Sequence, residues 1–229
     1  MEFDCVNYVI GHKPWTIDQS GMYRALAVGK ERIGGWLYER DGENISRYNE
    51  RINELTGLYW IWKNTESQYV GMSHYRRFFR MYGQRLSARQ AIELLVYDGY
   101  DVILPEPKEL GWSLRANIEM VTGQQLGDET YTAFLEAICE HQPEYVDAYR
   151  EVMDGRTLYQ YNMFMTSRNV MEKYCEWLFS FILEAADRIR VDGLDYYPRR
   201  AAGYCGECMM TVWMKRQQYR IKTLPVVTG

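Results

Sequence analysis

The run His74-Tyr75-Arg76-Arg77-Phe78-Phe79-Arg80 gathers three arginines and a histidine at the end of a predicted strand. In an extended segment His74, Arg76 and Arg80 share one face, and Tyr75 and Arg77 share the other. A guanidinium fork grips phosphate oxygens at two points. A departing diphosphate needs such positive charge as its bond breaks. Active sites of open α/β sheets collect at the carboxyl ends of strands, where this run falls. The same spacing also fits an exposed basic strand end paired with nearby carboxylates.

Other polar groups could join it. His12 and Lys13 follow the first predicted strand and could face phosphate; a solvated loop is the alternative. Asn44 and Asn49 flank Ser46, and their amides could hold a ribose or a base, while Ser46 suits a helix cap. Asp101 opens the apolar run Tyr100–Pro105, as an edge residue, a metal ligand or a base. No Asp-x-Asp pair, the usual divalent-metal clamp of nucleotide-sugar enzymes, follows a hydrophobic strand. Two alternatives remain: an unconventional site for manganese or magnesium, or arginine charge in place of a metal. Cys205-Gly206-Glu207-Cys208 has the look of a metal half-site, but Cys5, Cys139 and Cys175 supply no matching pair. Cys205, Met209 and Val212 share a helix face, which reads as buried thiols. Glu207 falls roughly opposite, to line a cleft as a base or to meet solvent.

The elements that must carry these groups follow from periodicity. Cys5–Gly11 and Met22–Val28 read as strands, and Gly29–Asn44 as a long, functional loop. Ser46–Lys63 reads as one helix, with Ile52, Leu55, Leu58, Tyr59 and Trp62 as its apolar stripe and Asn49, Asn53 and Thr56 away from it. Tyr69–Phe79 reads as a strand, Ser87–Tyr97 as an amphipathic helix, and Tyr100–Leu104 as a strand stopped by Pro105. Leu114–Asp154 is helical, Tyr161–Thr166 a short strand, Val170–Ala186 and Ala201–Gln217 helices, and Tyr219–Val227 a terminal strand. Alternating strands and helices in the first 105 residues argue for an α/β sheet with a helical C-terminal part. No repeat or linker divides the chain, so residues 1–229 are expected to form one domain.

Composition narrows the function. Hydrophobic residues make up 47% and aromatic ones 15%, a globular rather than disordered balance. The 20 Tyr and 7 Trp suit either aromatic packing or a cleft for sugars and nucleobases. A formal charge of −4 argues against a nucleic-acid partner. The chain has no signal-peptide pattern and no apolar run of membrane-spanning length. The expected location is the cytoplasm, free or peripheral at the inner face of the membrane, with the 5 cysteines reduced. Walker-type, Gly-x-Gly-x-x-Gly and Gly-x-Ser-x-Gly motifs are absent, which counts against kinase, dehydrogenase and serine-hydrolase chemistry.

Several blocks in one order resemble a bacterial family of capsular and exopolysaccharide biosynthesis proteins, long catalogued as a domain of unknown function. They are His12-Lys13-Pro14, Gly42–Ser46, Glu54-Leu55-Thr56-Gly57-Leu58-Tyr59-Trp60-Ile61-Trp62-Lys63-Asn64, Gly71–Phe78, Tyr100–Pro105, Tyr161–Phe164, Tyr174–Phe179 and Gly203–Glu207. The similarity runs from about residue 8 to 215. It implies a GT-A-like (Rossmann-like) sheet flanked by helices. It also implies transfer of a hexose, often galactose, from a nucleoside diphosphate donor such as a UDP-sugar to a glycan acceptor, free or lipid-linked. His12, Lys13, Asn44, Asn49, Glu54, Tyr59, His74, Arg76, Arg77, Asn162 and Glu207 sit in the matching blocks. On this reading Arg76, Arg77, Lys13 and His12 face the diphosphate, and Asn44, Asn49, Glu54, Tyr59 and Asn162 face the nucleotide or sugar. His74 or Glu207, with Asp101 as the other candidate, is the base. The alternative is a non-catalytic glycan- or nucleotide-binding protein of the same fold.

Overall fold

The computed structural model describes residues 3–228. The strands are β1 (Cys5–Gly11), β2 (Tyr23–Ala27), β3 (Leu37–Tyr38), β4 (Tyr69–His74), β5 (Arg77–Met81), β6 (Gln84–Arg85), β7 (Val102–Pro105), β8 (Lys108–Glu109), β9 (Thr157–Leu158), β10 (Phe164–Ser167), β11 (Ile221–Leu224) and β12 (Val226–Thr228). The helices are α1 (Asn49–Ile52), α2 (Leu55–Asn64), α3 (Ala88–Ile92), α4 (Leu114–Thr122), α5 (Gln124–His141), α6 (Val146–Asp154), α7 (Arg168–Phe179), α8 (Ile182–Arg188), α9 (Tyr196–Arg199) and α10 (Ala201–Met214).

The main sheet runs β11-β7-β10-β4-β1-β2-β3. β3, β2, β1 and β4 are mutually parallel, whereas β10 lies antiparallel between β4 and β7. The alternation of β1 explains why both faces are covered. Tyr8 and Ile10 enter one core with Leu58 and Ile61 of α2, while Cys5 and Val9 enter a second with Phe78, Phe79 and Leu94. β7 divides in the same way, with Val102 and Leu104 on the first side and Ile103 on the second. The expected α/β sheet flanked by helices is therefore present. The C-terminal part is helical around α10, which packs against α1, α4, α5 and α6.

Register puts the carboxyl ends of the parallel strands along one edge. Ile10 pairs with His74, and Gly11 with Ala27. Because β10 runs the other way, the residues before its start reach the same edge, with Phe164 opposite Met72.

Three expected elements are broken where tertiary contacts override period. The helix expected over Ser46–Lys63 begins as a 3-10 turn at Ser46–Tyr48 and stops between α1 and α2 at Asn53, whose φ is 54°. Polar groups satisfy the carbonyl freed there: Asn49 Nδ2 and Thr56 Oγ1 both donate to the Asn53 carbonyl oxygen, at 3.1 and 3.0 Å. Thr56, expected to face away from the apolar stripe, is thus fully buried. Ser46 makes no side-chain cap; its N–H instead donates to Asn44 Oδ1. The strand expected over Tyr69–Phe79 reverses at Tyr75-Arg76, so His74 of β4 pairs with Arg77 of β5. The shared face expected for His74, Arg76 and Arg80 does not survive that turn. The helix expected over Val170–Ala186 is split into α7 and α8 at Ser180-Phe181.

Central-strand packing is tight at Gly71. A Cβ there would lie 2.8 Å from the Phe164 carbonyl oxygen of the paired strand and 2.8 Å from Asn7 Nδ2. Gly71→Ala should therefore cost about 1–3 kcal/mol of stability, read as a lowered denaturation midpoint in urea; an unchanged midpoint would contradict this packing.

Candidate functional site

The sheet edge formed by the ends of β1, β2 and β4 floors a cleft of about 790 Å³. Its size is that of a small-molecule site. One wall is the loop after β2, with Gly29, Lys30 and Glu31, together with Arg47, Asn49 and Glu50 around α1. The other wall is the β4–β5 turn, carrying His74, Arg76 and Arg77. Gln160 and Tyr161 enter from before β10, and Arg200 and Glu207 from the helical side.

The loop after β2 is held by its own buried acid. Glu39 is fully buried, and its Oε1 accepts the Gly29 N–H at 2.5 Å. The Tyr38 hydroxyl donates to the Lys30 carbonyl oxygen at 2.9 Å. Gly29, at φ 95°, supplies the left-handed turn that lets both bonds form.

At the back of the cleft two carboxylates are anchored by consecutive residues. The Tyr161 N–H donates to Glu207 Oε1 at 2.6 Å, and Asn162 Nδ2 donates to Glu54 Oε1 at 3.1 Å. Tyr161 and Asn162 both have positive φ, 75° and 51°. Two adjacent non-glycine residues in that region cost backbone energy and mark a position held by its surroundings. The Tyr161 ring also lies beneath the Arg77 guanidinium, 4.2 Å from the ring centroid.

Charge is concentrated here. Burial, then the neighbouring Glu54 charge, pushes Glu207 up to about 7, against the pull of the Tyr161 N–H, Arg77 and Arg200. Burial and then the Arg77 charge push His74 down to about 4, so its ring is neutral at pH 7. Its Nδ1 is buried without a hydrogen-bond partner among the described residues. His12 is lowered for the same first reason, burial, and then by Lys13 and Arg200.

Of the residues singled out from sequence, His12, Asn49, Glu54, His74, Arg76, Arg77 and Glu207 line this cleft. Asn162 stands one layer behind, buried against Glu54. Asn49 has its amide N–H groups committed to the α1–α2 break. Lys13 lies next to His12 but outside the lining, and it is exposed. Asn44 does not face the cleft: its Nδ2 donates to the Gly42 carbonyl oxygen and its Oδ1 accepts from Ser46, a self-contained turn. Tyr59 is likewise outside, with its hydroxyl donating to Glu43 and its ring edge-on to Phe179. Asp101 is also remote from the cleft lining, and its Oδ2 accepts the Arg220 N–H. Cys205 and Cys208 are buried free thiols, as expected.

Sequence reading missed Arg200, Tyr161 and Asn53. Arg200 Nε donates to Asn53 Oδ1 at 2.5 Å, and its Nη1 donates to the Tyr196 hydroxyl at 3.2 Å. The Arg199-Arg200 pair just before a predicted helix was the available signal. Asn53 had none, because its turn exists only where α10 approaches. A side chain at Gly203 would run into the Asn53 amide, so that contact needs glycine.

Glu207 gives a pH signature in the ligand-free protein. A carboxyl raised from 4.5 to about 7 keeps an extra proton when folded, so stability falls as pH rises through that window. Glu207→Gln keeps an acceptor for Tyr161 and removes the titration. Its stability relative to the parent should climb by on the order of 2 kcal/mol between pH 5 and 8 in parallel denaturation series. A constant difference would show that Glu207 ionises normally.

No curated protein matches the sequence. Among solved structures, the apo form of the WbbM bifunctional glycosyltransferase is similar, with a TM-score of 0.79 and 25% identity. The likeness covers 98% of this chain and 45% of that chain, so this chain spans less than half the length of its relative. The central sheet with helices on its faces is thus GT-A-like. The profile of DUF4422, described as a domain of unknown function, matches residues 7–218. With nearly its whole length matched, the chain belongs to the DUF4422 family.

Proposed function

We propose that the protein is a glycosyltransferase that moves a hexose from a nucleoside diphosphate donor to a glycan acceptor. The galactose-type, UDP-linked donor and a role in capsular, exopolysaccharide or lipopolysaccharide assembly rest on the sequence resemblance. The observation that carries the reading is the meeting of Arg76, Arg77 and Arg200 with Glu54 and Glu207 in one cleft at the carboxyl edge of the sheet. The likeness to a bifunctional glycosyltransferase supports it.

In this reading Arg76 and Arg77 hold the diphosphate and take up its growing charge as the bond to the anomeric carbon breaks. Neutral His12 and His74 offer hydrogen bonds without adding charge. Glu54, fixed by Asn162, binds a sugar hydroxyl. Glu207 takes the proton of the incoming acceptor hydroxyl; its affinity for a proton lies near the working pH, which suits a general base. His74 is too weak a base for that task. Asp101 lies too far from the cleft lining to serve.

Positive charge at the diphosphate comes from guanidinium groups. Glu54 and Glu207 are each bonded to protein donors, and Arg77 and Arg200 act on Glu207 from close by. Chelation with EDTA should therefore leave the rate of UDP release from UDP-galactose unchanged; a collapse restored by manganese would assign the charge to a metal instead. Arg77→Ala should slow that release by on the order of 10²-fold. A wild-type rate in this variant would remove Arg77 from the mechanism, and saturable UDP-galactose binding with no release by the parent protein would favour a non-catalytic binder.

A further inference from the structure

A second, smaller pocket of about 290 Å³ adjoins the cleft at α9. It is lined by Glu50, Leu194, Asp195, Tyr196 and Arg199, and it shares Glu50 and Tyr196 with the main cleft. We propose that this pocket is the subsite for the acceptor saccharide, with α9 as its stacking platform. The inference rests on the donor reading of the main cleft.

Its chemistry differs from that of the cleft. The cleft is rich in guanidinium, whereas this pocket sets two carboxylates against one arginine, which suits a neutral polyhydroxyl ligand rather than a phosphate. A sugar presents an apolar C–H face and a rim of hydroxyls. Tyr196 and Tyr197 are 61% and 64% exposed, with ring centroids 5.5 Å apart in an edge-on arrangement. Large aromatic surfaces left open beside a cleft gain by being covered, and a C–H face covers them.

Polar groups for the hydroxyl rim are fixed in place. Glu50 is held between Lys30 Nζ at 2.5 Å and Arg199 Nη1 at 3.4 Å. Arg199 Nη2 donates to the Leu194 carbonyl oxygen, which locks the guanidinium against the pocket wall. Asp195 precedes α9 but makes no side-chain cap bond, so its oxygens are open to a ligand. The platform is also tied to the reaction centre. The Tyr196 hydroxyl accepts from Arg200, and Arg200 bonds Asn53 at the α1–α2 break. An acceptor seated on α9 would therefore lie beside the entrance to the carboxylate pair.

Saturation-transfer NMR on the full chain, with UDP present, tests this with lactose, methyl β-D-galactopyranoside and methyl α-D-mannopyranoside as probes. At least one saccharide should bind, and Tyr196→Ala and Asp195→Ala should weaken it about tenfold while Tyr196→Phe retains it. UDP binding, titrated separately, reports on the cleft. If UDP binds but no probe does, or if the variants bind saccharide like the parent, the subsite is overturned. If saccharide binding follows the variants but UDP never binds, α9 remains a saccharide site but the donor reading falls, and the acceptor role with it; if neither binds, the subsite is overturned.

Discussion

Two carboxylates forced together in a buried corner set the terms for the rest of the site. Glu54 comes from the α1–α2 break and Glu207 from α10, and each is held by one member of a strained dipeptide, Asn162 and Tyr161. Burial first, and then the Glu54 charge, resist the ionisation of Glu207, so it holds a proton that an isolated carboxyl would lose. Arg77 and Arg200 keep that resistance from becoming prohibitive. Burial drives the protons off His12 and His74, and nearby cations add to it, Lys13 and Arg200 for His12 and Arg77 for His74. An acid that holds its proton and bases that release theirs are thus two results of the same desolvation, which disfavours whichever form is charged.

That arrangement needs three separate parts of the chain to meet with little slack. The parallel register of β1, β2 and β4 brings their ends level, and the reversed β10 delivers Tyr161 and Asn162 to the same edge. α10 must then approach α1 closely enough to present Glu207, which is why glycine stands at position 203. The Asn53 turn opens the helix at the point where Arg200 enters. A continuous helix over Ser46–Lys63 would have left Arg200 without its Asn53 partner and Glu54 on a different face.

The acidic Glu39 plays a comparable part on the opposite wall. It is fully buried, and burial raises its proton affinity, yet its Oε1 is spent on the Gly29 N–H. The cost of burying that acid is offset by a fixed loop, so the wall facing the arginine turn is shaped before any ligand arrives. The α9 segment adds the third side through Tyr196 and Arg200.

Much of this was legible in the order of residues. The short apolar runs at Cys5–Gly11 and Tyr100–Leu104 marked the sheet, because an apolar run bounded by turn residues is a local property of the chain. His74, Arg76, Arg77, His12, Glu54 and Glu207 stood out by residue type and by family resemblance, and all line the cleft. Residue type misled where a polar side chain had a closer partner: Asn44 closes its own turn, Tyr59 bonds Glu43, and Asp101 caps the backbone of Arg220. Tertiary structure alone decided the break at Asn53, the reversal at Tyr75-Arg76, the recruitment of Arg200 and the coupling of Glu54 to Glu207. Each depends on contacts between segments far apart in sequence, and no local pattern encodes the distance between two side chains that only packing brings together.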